Sequence, residues 1–225
     1  MNLYEALQQI AAKFDLNIDD LVAYAAEDVI GGRDTHPDQW NAMSVHAAEG
    51  QILYALVRAL KPQRVLEVGV ATGGTSTHIL SALATNGSGE LHSVDIEPNC
   101  GQLVPESLRG HWHLTIGDAL VIDLPQTDFI FEDGAHSYEF TRDILKRLKP
   151  LGARVIVAHD YFSHEVYGGF GVKQAWDEQM PNALGIKIDR AFTGLGVWAN
   201  PDWKAPEPMV TEPITPVKPK GKRRG

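Results

Sequence analysis

The sequence predicts an α/β protein with a doubly wound, seven-stranded, mostly parallel sheet, an antiparallel terminal hairpin and a helical N-terminal lead-in. Between residues 64 and 180, short apolar runs alternate with segments of helical periodicity. This alternation is typical of parallel strands joined by helices that cover both faces of the sheet. Two further short runs, at 185–189 and 194–199, follow each other around a turn and predict the hairpin.

The lead-in is predicted from apolar residues that recur at helical spacing before residue 61. Asn2 is a candidate cap for the first of these helices. The segment is too thin for an independent domain, so residues 1–60 are expected to pack on the sheet or to cover a site. The predicted helices lie at 3–14, about 18–30 and about 42–60.

The main domain is predicted to span 61–200, and its elements follow in regular order. Residues 201–225 are rich in proline and end in a basic run, which predicts a disordered tail. The predicted strands are 64–69, 91–95, 111–116, 127–132 and 153–159 before the hairpin. The predicted helices are about 75–85, 102–109, 137–148 and 171–180, with a short one at 118–122.

Composition narrows the function classes. The formal charge of −9 over 225 residues argues against nonspecific nucleic-acid binding by the body of the chain, although the basic tail allows a weak contact. Cys100 is the single cysteine, so no disulfide forms within the chain, and a reducing, cytoplasmic location is expected. The first residues lack a signal-peptide pattern, and no apolar run is long enough for a membrane span.

A glycine-rich turn after the first predicted strand indicates a ligand site. Glycines between a strand and a helix leave backbone N–H groups and the positive end of a helix dipole facing a ligand. The turn reads Glu67-x-Gly69-x-x-x-Gly73-Gly74. It lacks both the G-x-G-x-x-G of dinucleotide sites and the lysine of a P-loop, so neither kind of nucleotide site is predicted.

This turn, with an acidic residue ending the second strand, resembles motif one of class I S-adenosylmethionine-dependent methyltransferases, which have a Rossmann-like fold. Three later segments resemble the metal-dependent small-molecule O-methyltransferase branch that carries a D-G-x-H-x-Y motif. They are Gly117-Asp118-Ala119, the run from Glu132 to Tyr138 (EDGAHSY) and His159-Asp160-Tyr161. The resemblance covers about 45–199 and implies S-adenosylmethionine as cofactor.

The chemistry of the cofactor fits these residues. A strand-end carboxylate such as Asp95 suits the ribose diol because it only accepts hydrogen bonds, and Asp118 can accept one from the adenine amino group. Alternatives remain, since Asp95 could be a turn residue, Asp118 a helix cap and Glu67 a buried carboxylate that orders the loop. The predicted cofactor-binding residues are Glu67, Gly69, Ala71, Thr72, Gly73, Thr75, Ser76, Asp95, Ile96, Gly117, Asp118, Ala119 and Asp133.

The catalytic residues are predicted at the ends of the fourth and fifth strands. Asp133 and Asp160 end neighbouring strands, about 4.8 Å apart, and two converging carboxylates favour a divalent cation. The resemblance implies a metal at Asp133, His159 and Asp160, with His136 as general base beside Asp133. The branch usually has two adjacent acidic residues where this chain has His159-Asp160. A transition metal would suit that histidine better than Mg²⁺.

Two alternatives remain for these histidines: His159 as a packed strand residue with a weak or absent metal, and His136 as a helix-start residue. The predicted activity is methyl transfer to a hydroxyl of a small molecule such as a sugar, a phenol or a natural product. A noncatalytic cofactor binder and a hydroxylase-like relative are the alternatives. The acceptor, the metal and a homo-oligomeric state stay open.

Overall fold

A seven-stranded mixed sheet forms the centre of the protein in a computed structural model, which describes residues 1–28, 45–168, 171–188 and 193–204. The strand order is β3-β2-β1-β4-β5-β7-β6, with β7 antiparallel to both of its neighbours. This order confirms the predicted sheet and hairpin. The strands are β1 Arg64–Val68, β2 Glu90–Asp95, β3 Trp112–Ile116, β4 Phe129–Glu132, β5 Val155–Ala158, β6 Leu184–Ile186 and β7 Leu195–Ala199.

Seven α-helices flank this sheet in the described ranges. Their bounds are α1 Leu3–Phe14, α2 Ile18–Glu27, α3 Ala47–Leu60, α4 Gly74–Asn86, α5 Tyr138–Leu148, α6 Ser163–Tyr167 and α7 Val172–Gln179. None of them is long and apolar enough to cross a membrane.

The lead-in helices are built into the same core as the sheet. Asn2 caps α1 through a hydrogen bond to the Glu5 N–H, and Glu5 returns one to the Asn2 N–H, which completes a capping box. The apolar faces of α1 and α2 are buried in one cluster with α3, with α4 and with one face of the sheet. A second cluster fills the opposite face of the sheet, under α5 and α7.

Local geometry differs from two sequence predictions. The stretch 118–122 is a turn rather than a helix, because Asp118 accepts a hydrogen bond from the Leu120 N–H and bends the chain back at once. The helix expected at 102–109 is a 3-10 helix, Glu106–His111, that leads directly into β3. The short α6 was not predicted from the sequence.

The parallel strands all end at one edge of the sheet, which sets the position of the candidate site. The register pairs Val68 of β1 with Val94 of β2 and with Glu132 of β4, and Glu132 with Ala158 of β5. The loops that follow these strands therefore emerge side by side. In open α/β sheets, ligands bind at this carboxyl edge.

Candidate active site

The glycine turn after β1 lies directly against the loop after β4. Gly69 has φ +88°, and a Cβ at this position would overlap the carbonyl oxygen of Asp133. Glycine is therefore required here for both its backbone conformation and its lack of a side chain. The contact brings the predicted cofactor loop next to a predicted catalytic residue.

The start of α4 has no side-chain cap. Thr75 and Ser76 are residue types suited to capping a helix, but the helix begins at Gly74, with Gly73 (φ +88°) as an N-cap that makes no side-chain hydrogen bond. Ser76 is fully buried, and its hydroxyl is satisfied there by donating to Glu67 at 2.8 Å. The first turn of this helix therefore offers backbone groups, rather than a capping side chain, at the loop.

Glu67 is the centre of a buried polar network. Its carboxylate accepts hydrogen bonds from Ser76 and, at 2.5 Å, from Ser93, whose oxygen in turn accepts the indole N–H of Trp112. Burial raises the pKa of Glu67 to about 7, although the two serine hydrogen bonds act in the opposite direction. The carboxylate joins β1, β2 and the first turn of α4, which is the loop-ordering alternative given above.

Asp95 holds the glycine turn from the end of β2. Its Oδ2 accepts the N–H groups of Val70 at 2.7 Å and Ala71 at 3.0 Å, and its Oδ1 accepts the Glu97 N–H at 2.8 Å. A carboxylate has about four acceptor sites, so capacity for a ribose hydroxyl remains beside these three bonds.

The other predicted cofactor residues lie around the same edge. Ile96 is two-thirds exposed and follows Asp95, while Ala119 is buried and Asp118 is exposed. The Gly117 N–H donates to the Asp95 carbonyl at 2.8 Å, which continues the β2–β3 ladder beyond the strands. The residues after β2 and those after β3 are therefore adjacent.

Two aspartates and two histidines form a compact cluster at the ends of β4 and β5. Asp133 Oδ1 lies 3.2 Å from His136 Nε2 and 3.1 Å from His159 Nδ1. Asp160 Oδ2 lies 2.7 Å from His136 Nδ1. His136 thus bridges the two carboxylates, and the predicted convergence of Asp133 and Asp160 is present in the structure.

The charges within the cluster shift the pKa of each of its four side chains. Burial lowers the pKa of His136, but hydrogen bonds to Asp133 and Asp160 outweigh it and raise the pKa to about 10. Burial likewise opposes a charge on His159, yet the adjacent Asp133 and Glu49 carboxylates hold the His159 pKa well above its usual value. The same histidines keep the pKa of Asp133 and of Asp160 below the ordinary range despite burial. The neighbouring carboxylates in this arrangement therefore favour the protonated form of both imidazoles.

Glu49 of α3 also contacts the cluster. The sequence suggests Trp40, His46 and the Glu49-Gly50 pair either for the amino acid end of the cofactor or for covering the pocket. In the structure, the Glu49 Oε2 lies 3.4 Å from His159 Nε2. The same oxygen accepts the His46 N–H in the α3 capping box, while Oε1 is buried without a hydrogen bond in the described structure. The H-x-x-E spacing was the available signal. Trp40 lies outside the described residues.

The metal-ligand prediction corresponds to a real convergence of donor atoms. One ligand atom each of Asp133, His159 and Asp160 lies within 4.8 Å of the other two. Asp160 reaches this position from a left-handed backbone conformation, with φ +56°. A left-handed conformation is uncommon outside glycine, although aspartate and asparagine adopt it more often than other residues, and it costs on the order of 1 kcal/mol. The surrounding structure therefore holds Asp160 there.

Other candidates named from the sequence lie outside this cluster. Tyr138 donates its hydroxyl to Glu178, and Trp176 is fully buried in the core. His164 is exposed and lines an open pocket beside α7 together with Lys173 and Asp177.

Comparison with known proteins adds a family match. Residues 66–161, less than half of the chain, match the family model described as a methyltransferase domain. This part of the chain is therefore similar to that family. This match and the sheet order confirm the resemblance to class I S-adenosylmethionine-dependent methyltransferases, and the domain contains Glu67, Asp95, Asp133 and His136.

A curated relative and two solved structures extend the comparison. Caffeoyl-CoA O-methyltransferase 2 of Petunia hybrida is 27% identical over 150 residues, which span 59% of this chain and 60% of that protein. An O-methyltransferase of Bacillus cereus in complex with S-adenosylhomocysteine has a TM-score of 0.58 at 17% identity, over 87% of this chain and 97% of the other.

The second structure is an N-methyltransferase of Bradyrhizobium japonicum in complex with S-adenosyl-L-homocysteine. Its TM-score is 0.54 at 14% identity, over 90% of this chain and all of that chain. The fold is thus common to enzymes named for oxygen and for nitrogen acceptors. The choice of acceptor has to be argued from the site of this chain.

Proposed function

We propose that the protein is an S-adenosylmethionine-dependent O-methyltransferase that acts on a hydroxyl of a small molecule. The observation that carries this proposal is the contact between the glycine turn and the loop after β4, where Gly69 lies against the Asp133 carbonyl. A cofactor held by the turn would present its methyl group beside the Asp133–His136–Asp160 cluster. Proximity of this kind, with the reacting atoms aligned, supplies much of the rate enhancement in a two-substrate transfer.

The cofactor assignment is supported by the donors and acceptors around the turn. Backbone N–H groups at the start of α4 suit the carboxylate of the amino acid end, because the helix N-terminus is positively polarised. Asp95 retains an acceptor site for the ribose, and the residues 117–119 adjoin it. S-adenosylmethionine carries no phosphate, so the absence of a lysine in the turn is consistent with it.

The residues Asp133, His159 and Asp160 fit a divalent metal. They offer two carboxylates and one imidazole within a small, largely buried space, and Glu49 behind His159 supplies the outer carboxylate that commonly orients a ligating histidine. The imidazole favours a transition metal over Mg²⁺. A bound divalent ion would bind the acceptor hydroxyl and lower its pKa.

His136 is proposed as the base that removes the acceptor proton. Asp133 and Asp160 raise the His136 pKa to about 10 because both carboxylates hold its proton. A divalent ion held by Asp133 and Asp160 would compensate their charge, and the His136 imidazole would then act as a base near neutral pH. The acceptor oxygen then attacks the sulfonium methyl, the carbon–sulfur bond breaks with its electron pair on sulfur, and the proton stays on His136.

Methyl-labelled S-adenosylmethionine provides the test. The chain is incubated with a panel of phenols, catechols and sugars, with and without added Mn²⁺, and label is followed into product. His136→Gln is expected to lower turnover by about 10²–10⁴-fold, while cofactor affinity measured by calorimetry stays within threefold. Tyr138→Phe is the matched control, since its hydroxyl contacts Glu178 outside the cluster.

Three outcomes would count against the proposal. Full turnover in His136→Gln would place the base elsewhere. Activity unchanged by EDTA would remove the metal from the mechanism. Cofactor binding without label transfer to any acceptor of the panel would favour the noncatalytic binder.

A further inference from the structure

A second group of metal-ligating side chains lies on β2 and β3. Glu90 Oε2 is 3.5 Å from His92 Nε2 and 3.3 Å from His113 Nε2. One ligand atom from each of the three residues lies within 4.8 Å of the other two. Glu90 is the first residue of β2, whereas the candidate active site lies at the carboxyl ends of the strands. The two groups are therefore separated by the length of the sheet.

The strand register explains why these side chains meet. His92 pairs with His113 across the parallel β2–β3 ladder, so both side chains project from the same face. Glu90 is two residues before His92 and shares that face because side chains alternate along a strand. The two imidazoles stack with their centroids 4.7 Å apart and an interplanar angle of 19°. Both Nε2 atoms therefore point toward the same Glu90 oxygen.

His92 Nε2 is a buried polar atom without a hydrogen bond in the described structure. Its contact with Glu90 Oε2 is a 3.5 Å ion-pair distance, at the outer limit for a hydrogen bond. A buried polar atom without a hydrogen bond is unfavourable, so a ligand for this nitrogen would be stabilising. Burial, and then the neighbouring His113 and Arg64, lower the pKa of His92. The ring is thus neutral near pH 7, the form in which imidazole ligates metals.

We propose that Glu90, His92 and His113 form a binding site for Zn²⁺ or a similar transition-metal ion. Two imidazoles and one carboxylate are a typical zinc ligand set, and they leave a fourth position for water. Imidazole ligands select against Mg²⁺ and Ca²⁺. Glu90 and His113 are half-exposed, so the ion reaches the site directly from solvent. The bound ion would be coordinated by the buried Nε2 of His92 and would link the edge strand β3 to β2.

The test is zinc binding by the full chain, purified without a histidine tag, in an Asp133→Asn, His159→Gln background that disables the other cluster. Zn²⁺ is titrated in competition with a chromophoric chelator. The background protein is expected to bind one Zn²⁺, and His113→Ala and His92→Gln are each expected to weaken binding at least tenfold. His111→Ala is the matched control, since this histidine lies two residues from His113 but outside the group.

Two further measurements make the outcome decisive. Co²⁺ in place of Zn²⁺ is expected to give the intense visible bands of a four-coordinate site in the background protein and not in His113→Ala. Urea unfolding without metal checks that each variant folds. Equal zinc affinity in His113→Ala and His111→Ala, or no zinc binding by the folded background protein, would overturn the proposal. Both results concern zinc binding alone. Methyl transfer is measured separately, on protein that keeps Asp133 and His159.

Discussion

Asp95 is the single residue on which the shape of the cofactor loop depends most directly. Its carboxylate accepts three backbone N–H groups, and hydrogen bonds to a charged group contribute about 1.5–3 kcal/mol each. Asp95→Ala is therefore expected to weaken S-adenosylhomocysteine binding at least 30-fold in a calorimetric titration. Asp118→Ala should weaken it only about three- to tenfold, because Asp118 is exposed and caps its own turn.

Asp123→Ala serves as the control, since Asp123 is exposed in the same region of the chain. Unchanged affinity in Asp95→Ala, with the variant still folded, would remove Asp95 from the cofactor site.

Glu67 predicts a specific pH dependence of stability. Burial raises its pKa in the folded protein to about 7, from about 4.5 in the unfolded chain. The folded state therefore binds the proton more tightly, and the resulting stability is fully present below about pH 4.5 and is lost as the pH rises through about 7. Glu67→Gln removes this loss. Between pH 5 and pH 8, the free energy of unfolding of the parent should fall relative to the variant by up to about 3 kcal/mol.

Urea unfolding of both proteins at several pH values measures this difference. Glu132 has a pKa raised to about 7 by burial as well, but it is present in both proteins and cancels. A difference that stays constant from pH 5 to pH 8 would contradict a protonated, buried Glu67.

At the scale of elements, α3 connects the lead-in to the candidate active site. Gly50 lies in its first turn, and a Cβ there would come within 2.5 Å of the His78 ring on α4. The ring cannot retreat easily, because His78 Nδ1 is held 2.7 Å from Asp28 Oδ2 in a buried pair. Gly50 is adjacent to Glu49, so a displaced α3 would also move the carboxylate that contacts His159.

Gly50→Ala is therefore expected to destabilise the protein by about 1–3 kcal/mol through overpacking, despite a gain of about 1 kcal/mol in helix propensity. Gly110→Ala is the matched control, because no atom lies within 4 Å of its added Cβ. Urea midpoints measure both variants. A Gly50→Ala protein as stable as Gly110→Ala would show that the helices separate freely.

The elements that were predicted correctly have a strong local signal. Strands such as Val155–Ala158 are continuous apolar runs bounded by glycine or polar residues, and α5 begins at its cap Ser137. The two errors at 102–109 and 118–122 concern short segments. In such segments a single hydrogen bond, such as that of Asp118, decides between a turn and a helix. The periodicity of apolar residues is informative only over longer stretches, so it cannot predict this bond.

At the scale of the whole molecule, we propose that residues 1–60 are an integral part of the methyltransferase fold. Ala6, Leu7, Ile10 and Leu21 are almost completely buried in the same cluster as α3 and the sheet. A chain that begins at residue 45 would expose the apolar surface of α3 that these residues cover. It is expected to lose cooperative urea unfolding and to bind a hydrophobic dye.

A chain that ends at residue 204 is the control, because its missing part is the tail whose composition predicts disorder. It should unfold at the same urea concentration as the full protein. Cooperative unfolding of the chain from residue 45 would instead establish the lead-in as a separable cap.

The candidate site was predictable where strand order brings sequence-distant residues together. Asp133 and Asp160 could be paired in advance, since β4 and β5 are neighbours in this topology. The charge state of His136 and the contact of Glu49 with His159 could not be predicted from the sequence. Both depend on distances of about 3 Å between side chains of three different elements. The group of Glu90, His92 and His113 on β2 and β3 was not predicted, because it requires the register between those strands.

The backbone of the candidate active site continues the hydrogen-bond ladder of the sheet beyond the ends of β1, β4 and β5. The N–H groups of Gly69, Asp133 and His159 donate to the carbonyls of Val94, Val68 and Glu132, at 2.9, 2.8 and 3.0 Å. For laboratory evolution of acceptor preference, this divides the site into two parts. Replacements in the segment 161–168 leave these three hydrogen bonds in place, so this segment is the one to vary in sequence libraries. Insertions next to Gly69 or Asp133 would instead break hydrogen bonds of the ladder.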